Sequence, residues 1–197
     1  MGLSFHYSGR ISKPELLPEL IAEIQDIASV YKWKYFVFER AFPKNSFSNK
    51  GYNKNIYGIN FTPTNCETIS LCFLSNGRMS DFLNLKLYGK SDIQNEHEYL
   101  YMLSTKTQYA GIETHQFIIQ LFRHLDKKYF SDFKMIDEGQ YWETNDYEIL
   151  KSNFKKYTNL INSFTSALEC IPIKPDESIE SYLIRLLKQL HDKNKLE

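Results

Sequence analysis

Glycine is scarce in this chain, eight residues in 197. Neither of the glycine-rich patterns that cradle phosphates, G-x-x-x-x-G-K-[ST] and G-x-G-x-x-G, occurs. Cysteine is scarcer still. Cys66, Cys72 and Cys170 are odd in number and form no C-x-x-C, which argues against a disulfide framework or a zinc site and points to a reducing cytoplasm. A surplus of one charge is also missing. Lys plus Arg and Asp plus Glu are 24 each, and the halves 1–98 and 99–197 carry 11 against 10 and 13 against 14. A nucleic-acid binder ordinarily shows a basic excess on one face, and none appears at this scale. No apolar run approaches the ~20 residues that span a bilayer. The start, Met1 to His6, has neither the basic region nor the apolar core of a secretory signal.

What is present is ordinary globular composition, 42% hydrophobic and 24% charged. A chain of this length buries roughly 70% of its unfolded surface, enough for a core without disulfides or metal. Residues 3–7 alternate apolar and polar as a strand does. Ser12 and Glu15 have capping-box spacing with Pro14 in the first turn, and apolar residues then recur at helical spacing from Leu16 to Tyr31. Strand Lys34–Arg40 follows, with Phe36 and Phe38 expected on the core side. Residues 44–55 read as a loop and as a candidate lid. Ile56–Thr62 and Thr68–Leu74 form an expected hairpin, with Cys72 a small core residue. Residues 79–97 are ambiguous, Phe82 to Leu87 reading as a short strand or not.

Tyr99–Thr107 reads as a strand, Gly111 to Tyr129 as a helix, Phe133–Ile136 as a strand and Gln140–Glu143 as a second short strand after the turn Asp137-Glu138-Gly139. Asn145 and Glu148 could cap the next helix. There Tyr147, Leu150, Phe154, Tyr157, Ile161, Phe164 and Leu168 keep a 3-4 spacing for three heptads. Ile171-Pro172-Ile173-Lys174-Pro175 breaks it, and an amphipathic helix runs from Ser178 to His191.

This order of elements gives an α+β fold. The expected architecture is a mixed sheet with helices on one face, built from two strand–helix–strand units around a hairpin. It is analogous to ferredoxin-like or duplicated βαββ arrangements. Residues 1–143 form the α+β part and 144–197 a helical pair packed on it, one compact domain in all. The heptad seam at 147–168 could also pair with a second copy.

Topology supplies the candidate site. If strands 99–107 and 133–136 are neighbours joined by the helix, they run parallel and their carboxyl ends share one edge, where ligands gather in open sheets. That edge holds Thr105, Lys106, Thr107 and Gln108, the helix start at Gly111, and Asp137 and Glu138, with Tyr141 and Trp142 on the rim. Lysine, hydroxyls and free helix amides suit a small anion. His115 with Asp137, Glu138 or Glu113 suits acid–base chemistry or a divalent ion. The plain alternative is a solvated strand end, with His115 simply paired to Asp137 or to a backbone carbonyl.

Three readings follow, in order. The first is a non-catalytic binding or interaction protein for a small anion or a protein partner at residues 104–115 and 137–143. The second is an enzyme using His115 with Asp137 and Glu138. The third is nucleic-acid binding through residues 32–57, where Lys32, Lys34, Arg40, Lys44, Lys50 and Lys54 interleave with aromatics. No motif names a cofactor.

Overall fold

The computed structural model describes residues 2–44, 46–47, 51–90 and 96–193. Its α+β architecture holds two three-stranded antiparallel sheets. The first has the order β5 (Leu103–Lys106), β1 (Ser4–Ile11), β6 (Phe130–Asp137). The second has the order β2 (Lys34–Val37), β3 (Tyr57–Thr62), β4 (Ile69–Phe73). The single mixed sheet is therefore corrected to two sheets. The reason lies in β1, whose two edges are taken by β5 and β6. No edge is left there for β2, which pairs with β3 instead.

The helices are α1 (Leu17–Val30), α2 (Phe82–Tyr88), α3 (Glu96–Tyr99), α4 (Ile112–Tyr129), α5 (Tyr141–Thr144), α6 (Tyr147–Cys170) and α7 (Ile179–Lys193). A 3-10 turn at Pro14–Leu16 precedes α1, with Lys13 at its N-cap and no side-chain cap. The Ser12–Glu15 capping box is not made, because the Ser12 amide is engaged by the Tyr129 carbonyl at 2.8 Å. The segment 82–88 is helical rather than extended. Asp81 accepts the Asn84 amide at 2.7 Å and starts the helix, so a local cap outweighs the alternating pattern. The expected strand at 140–143 is likewise helix α5. The cap of α6 is Asp146, which accepts from the Glu148 and Ile149 amides; Asn145 is the left-handed C-cap of α5.

Strands β5 and β6 run parallel to each other, each antiparallel to β1 between them. With α4 they form a split strand–helix–strand unit. They are not neighbours, yet their carboxyl ends do share an edge: Lys106 lies across from Ser4, and Asp137 across from Phe5.

The two sheets are tied by the Met79 amide to the Gly9 carbonyl (2.9 Å) and the Ile11 amide to the Gly77 carbonyl (3.0 Å). Tyr7 on β1 adds a buried bridge, its hydroxyl donating to the Ser70 carbonyl at 2.8 Å and accepting from the Ser70 amide at 3.0 Å. Burial drives the Tyr7 phenol far above its ordinary range.

Helices α1 and α4 are joined at Glu23, which meets His124 at 2.6 Å, Lys128 at 2.8 Å and the Tyr129 hydroxyl at 2.5 Å. One core cluster takes in Leu20 and Ile24 of α1, Phe5 and Tyr7 of β1, Ile59 and Phe61 of β3, Phe122 of α4, and Leu150 and Phe154 of α6. Cys72 is fully buried in a neighbouring cluster. Phe38 packs against that cluster, but Phe36 is 61% exposed, a correction to its expected core position. Strand β2 is a sheet edge, and only Val37 of its four residues is even half-buried. No described helix is long and apolar enough to cross a membrane.

Candidate functional site

The shared edge brings together Thr107 just past β5, His115 in the first turn of α4, and Asp137 at the end of β6. His115 Nδ1 lies 2.7 Å from the Thr107 hydroxyl, and Nε2 lies 3.2 Å from both oxygens of Asp137. An acceptor-only carboxylate makes Nε2 the donor.

Asp137 has further work. Its carboxylate accepts the amides of Gly139 (2.7 Å), Tyr141 (2.8 Å) and Trp142 (3.1 Å). The Tyr141 and Trp142 amides open α5, so the acid caps that helix from three residues before its N-cap. Burial works against the charge on Asp137, but the hydrogen bond and charge of His115 and the Trp142 and Gly139 amides hold its carboxyl below the usual range.

The constellation is sealed. His115, Thr105 and Thr107 are fully buried, and Asp137 is 3% exposed. The rings of Phe5 and Phe154 lie 6.3 Å and 5.4 Å from the imidazole. Gly139 closes the remaining side so tightly that a Cβ there would stand 2.7 Å from Leu150 Cδ1 and 2.9 Å from His115 Nε2. Acid–base work needs a substrate atom within hydrogen-bond reach of the ring. Both ring nitrogens here are already occupied by protein groups.

The other residues expected at this edge serve as joints. Gln108 accepts the Leu3 amide at 3.1 Å and donates to Thr158 of α6 at 3.2 Å. Glu138 accepts the Ser4 amide at 2.7 Å. The Lys106 amide donates to Glu67 at 2.8 Å, and its side chain lies along Gly2. Tyr141 is buried and takes hydrogen bonds from Gln116 and Gln120. Trp142 is half-buried against Phe133, with Arg123 5.3 Å from its ring. Gly111 is the N-cap of α4, with φ 90°. Glu113 is exposed on α4 and does not join His115. Among the described residues no three His, Cys, Asp or Glu side chains are grouped to hold a metal.

What opens at this edge is a shallow groove of about 390 Å³, lined by Gly2, Glu138, Lys156, Tyr157 and Leu160. Its charges are of mixed sign. A larger groove, about 490 Å³, lies elsewhere, between residues 52–54 and α2. Tyr52, Phe82 and Leu85 give it apolar walls, and Lys54, Lys86 and Lys90 give it three ammonium groups, with no carboxylate among the described lining residues. Hydrogen bonds tie its walls to the rest of the fold. The Tyr52 hydroxyl donates to the Gly89 carbonyl at 3.2 Å, and the Asn53 amide to Ser75 at 2.9 Å. Asn84 of α2 donates to the carbonyls of Tyr99 and Met102.

Residues 82–90 escaped the sequence analysis because Phe82, Leu83, Leu85 and Leu87 mimic strand alternation. The signal that could have found them is Asp81 before the segment and Gly89 after it, a helix start and stop. Part of the expected 44–55 loop, residues 45 and 48–50 with Lys50, lies outside the described residues, as do residues 91–95.

Comparison with protein-family models, with curated proteins and with solved structures finds no match to this chain.

Proposed function

We propose that this protein is a non-catalytic binding protein whose ligand is a small amphipathic anion, a carboxylate or phosphate on an apolar body. The observation that carries this reading is the 490 Å³ groove, where three lysines ring an apolar wall. None of the three has an ion-pair partner among the described residues. Ligand sites are typically apolar clefts of ~300–1,000 Å³ with a few polar groups that fix orientation. Phe82, 60% exposed, would cover the apolar part and the ammonium groups the anion. The anionic ligand expected at residues 104–115 is thus assigned to a different surface, because Thr105 and Thr107 are fully buried and Gln108 is held between Leu3 and Thr158. The His115–Asp137 pair belongs to the frame in this reading. The exposed thiol of Cys170 fits a reducing, cytoplasmic setting.

Thermal unfolding with phenyl phosphate, octanoate and inorganic phosphate tests it. At ~100 times its Kd a ligand adds ~2.7 kcal/mol, a rise of roughly 5–10 °C for a chain of this size. Phenyl phosphate or octanoate should raise Tm, inorganic phosphate should do so less, and Lys86→Ala with Lys90→Ala should abolish the shift. A shift that survives this double variant but is lost in Lys106→Ala with Lys156→Ala would move the site to the sheet-edge groove. No shift with any of the three would overturn the reading.

A further inference from the structure

Strand β2 lies at the edge of its sheet and is paired on one side only, with β3. The direction of its peptide groups follows from that pairing. In an antiparallel ladder, residue pairs that exchange hydrogen bonds alternate with pairs that do not. The Phe38 amide donates to the Gly58 carbonyl at 2.9 Å. The bonded pairs are therefore Phe36–Asn60 and Lys34–Thr62, two and four residues further along. The other side of β3 agrees. Ser70, opposite Asn60, turns its amide and carbonyl away from β3 to the Tyr7 hydroxyl, so the peptide groups of Asn60 face Phe36. The amides and carbonyls of Tyr35 and Val37 are left pointing out of the sheet. Among the described residues no hydrogen bond from another element reaches them.

The side chains along this edge are open as well. Tyr35 is 44% exposed, Phe36 61%, and Lys34 is exposed. Successive side chains point to opposite faces. Lys34 and Phe36 stand on one face, beside Thr62 and Asn60. Tyr35 stands on the other, beside Phe61, over which Trp33 stacks with ring centroids 5.8 Å apart. A bare edge of this kind is commonly guarded by proline or by charge. Strand β2 holds no proline, and its one charged residue is Lys34.

We infer that β2 is a docking edge for an extended segment of a partner protein. The segment adds as a further strand and sets a carboxylate opposite Lys34 and an apolar side chain opposite Phe36. Outward peptide groups at alternate residues are matched by another strand, whose backbone gives affinity and whose alternate side chains give choice. Charge selects the partner. Lys34 has no ion-pair partner among the described residues. Lys32 and Arg40, both exposed, flank the strand, and Glu39 is the only carboxylate from 32 to 40.

A second copy does not supply what is missing. Opposed residues of an antiparallel pair both face the shared edge or both face away from it. This closes the register that matches β2 fully with itself, since Lys34 would oppose Val37 and Tyr35 would oppose Phe36. The registers one step either way are centred on Tyr35 or on Phe36. They set Lys34 against Phe36 or Phe38 of the other copy, where no carboxylate stands.

Fluorescence anisotropy of a dye-labelled peptide, Thr-Thr-Val-Tyr-Glu-Thr, with the full chain tests it. In the antiparallel register the peptide's Val and Glu stand opposite Phe36 and Lys34. It should bind with a Kd below about 1 mM. Replacing its Glu with Lys should weaken binding about fivefold, and Lys34→Glu in the protein should reverse that preference. Methylating the amide nitrogen of its Tyr, which faces β2, should abolish binding, whereas methylating that of its Val, which faces away, should not. Tyr35→Pro removes one outward amide and no bond to β3, so it should abolish binding with circular dichroism unchanged. No binding below about 1 mM overturns the inference. So does binding that survives the Tyr methylation or Tyr35→Pro, or a charge preference that Lys34→Glu leaves as it was. A wild type that sediments as a dimer and a Tyr35→Pro variant that sediments as a monomer would overturn it in favour of a second copy.

Discussion

His115 Nε2 sits 3.2 Å from each oxygen of Asp137, and both side chains are completely shut off from solvent. A histidine and an acid at a sheet edge invite a catalytic reading. Here they join β6, α4 and α5, and every polar atom of the pair is used inside the protein.

Asp137→Ala should therefore be among the most damaging substitutions in the chain. It strands three amides and the imidazole without an acceptor. Removing one partner of such a buried pair costs about 3–5 kcal/mol. Urea unfolding should show a lower midpoint with an unchanged slope.

Acid should act on the same group. The folded-state carboxyl of Asp137 is held below the ordinary aspartate range by its bonds to His115 and the α5 amides, so as pH falls the unfolded chain binds the proton first. The stability it contributes is complete above the unfolded pKa and is lost as pH falls through the folded one. Urea midpoints measured from pH 6 down to 2.5 should fall in the wild type. The fall should be shallower in Asp137→Asn, which has no carboxyl to titrate.

Gly139 touches the joint from the α6 side. An added methyl would stand 2.7 Å from Leu150 Cδ1, 2.9 Å from His115 Nε2 and 3.1 Å from Asp137 Oδ1. Gly139→Ala should cost about 1–3 kcal/mol as overpacking. Leu150→Ala alone should cost about 2–5 kcal/mol. The double variant should lose less than the sum, since the smaller Leu150 side chain leaves room for the methyl.

Tyr7 carries the hydrogen bonds that stitch β1 to β4. Tyr7→Phe removes only the hydroxyl, but it leaves the Ser70 amide and carbonyl without that partner. The expected loss is about 1–3 kcal/mol, measured by thermal unfolding. Amide exchange at Ser70 should accelerate.

Phe122 stands at the centre of an aromatic cluster, with ring centroids 4.9 Å from Tyr7, 5.5 Å from Phe5 and 5.7 Å from Phe133. Phe122→Ala should cost about 3–5 kcal/mol, enough to leave a marginally stable chain largely unfolded. A collapse of the near-ultraviolet dichroism would report it.

Local chemistry in the sequence determined a good deal by itself. The 3.6-residue repeat defined α1, α4, α6 and α7, because a buried helical face needs that spacing whatever it packs on. Alternation and turn residues defined β1 and the β3–β4 hairpin. Together they gave the α+β class, and the order of elements brought Lys106 and Asp137 to one edge. Short segments were less legible. Residues 82–88 and 141–144 are set by single caps, Asp81 and Asp137, and the second cap arrives from a strand end rather than from the residue before the helix. Pairing between strands could be decided only by the tertiary structure. Hydrogen-bonding edges are generic, and it took β5 and β6 on both sides of β1 to send β2 to the other sheet. Burial was decided there too. Thr107, His115 and Asp137 look like a reactive edge when written in a line. The closure of α6 over Gly139 makes them part of the core.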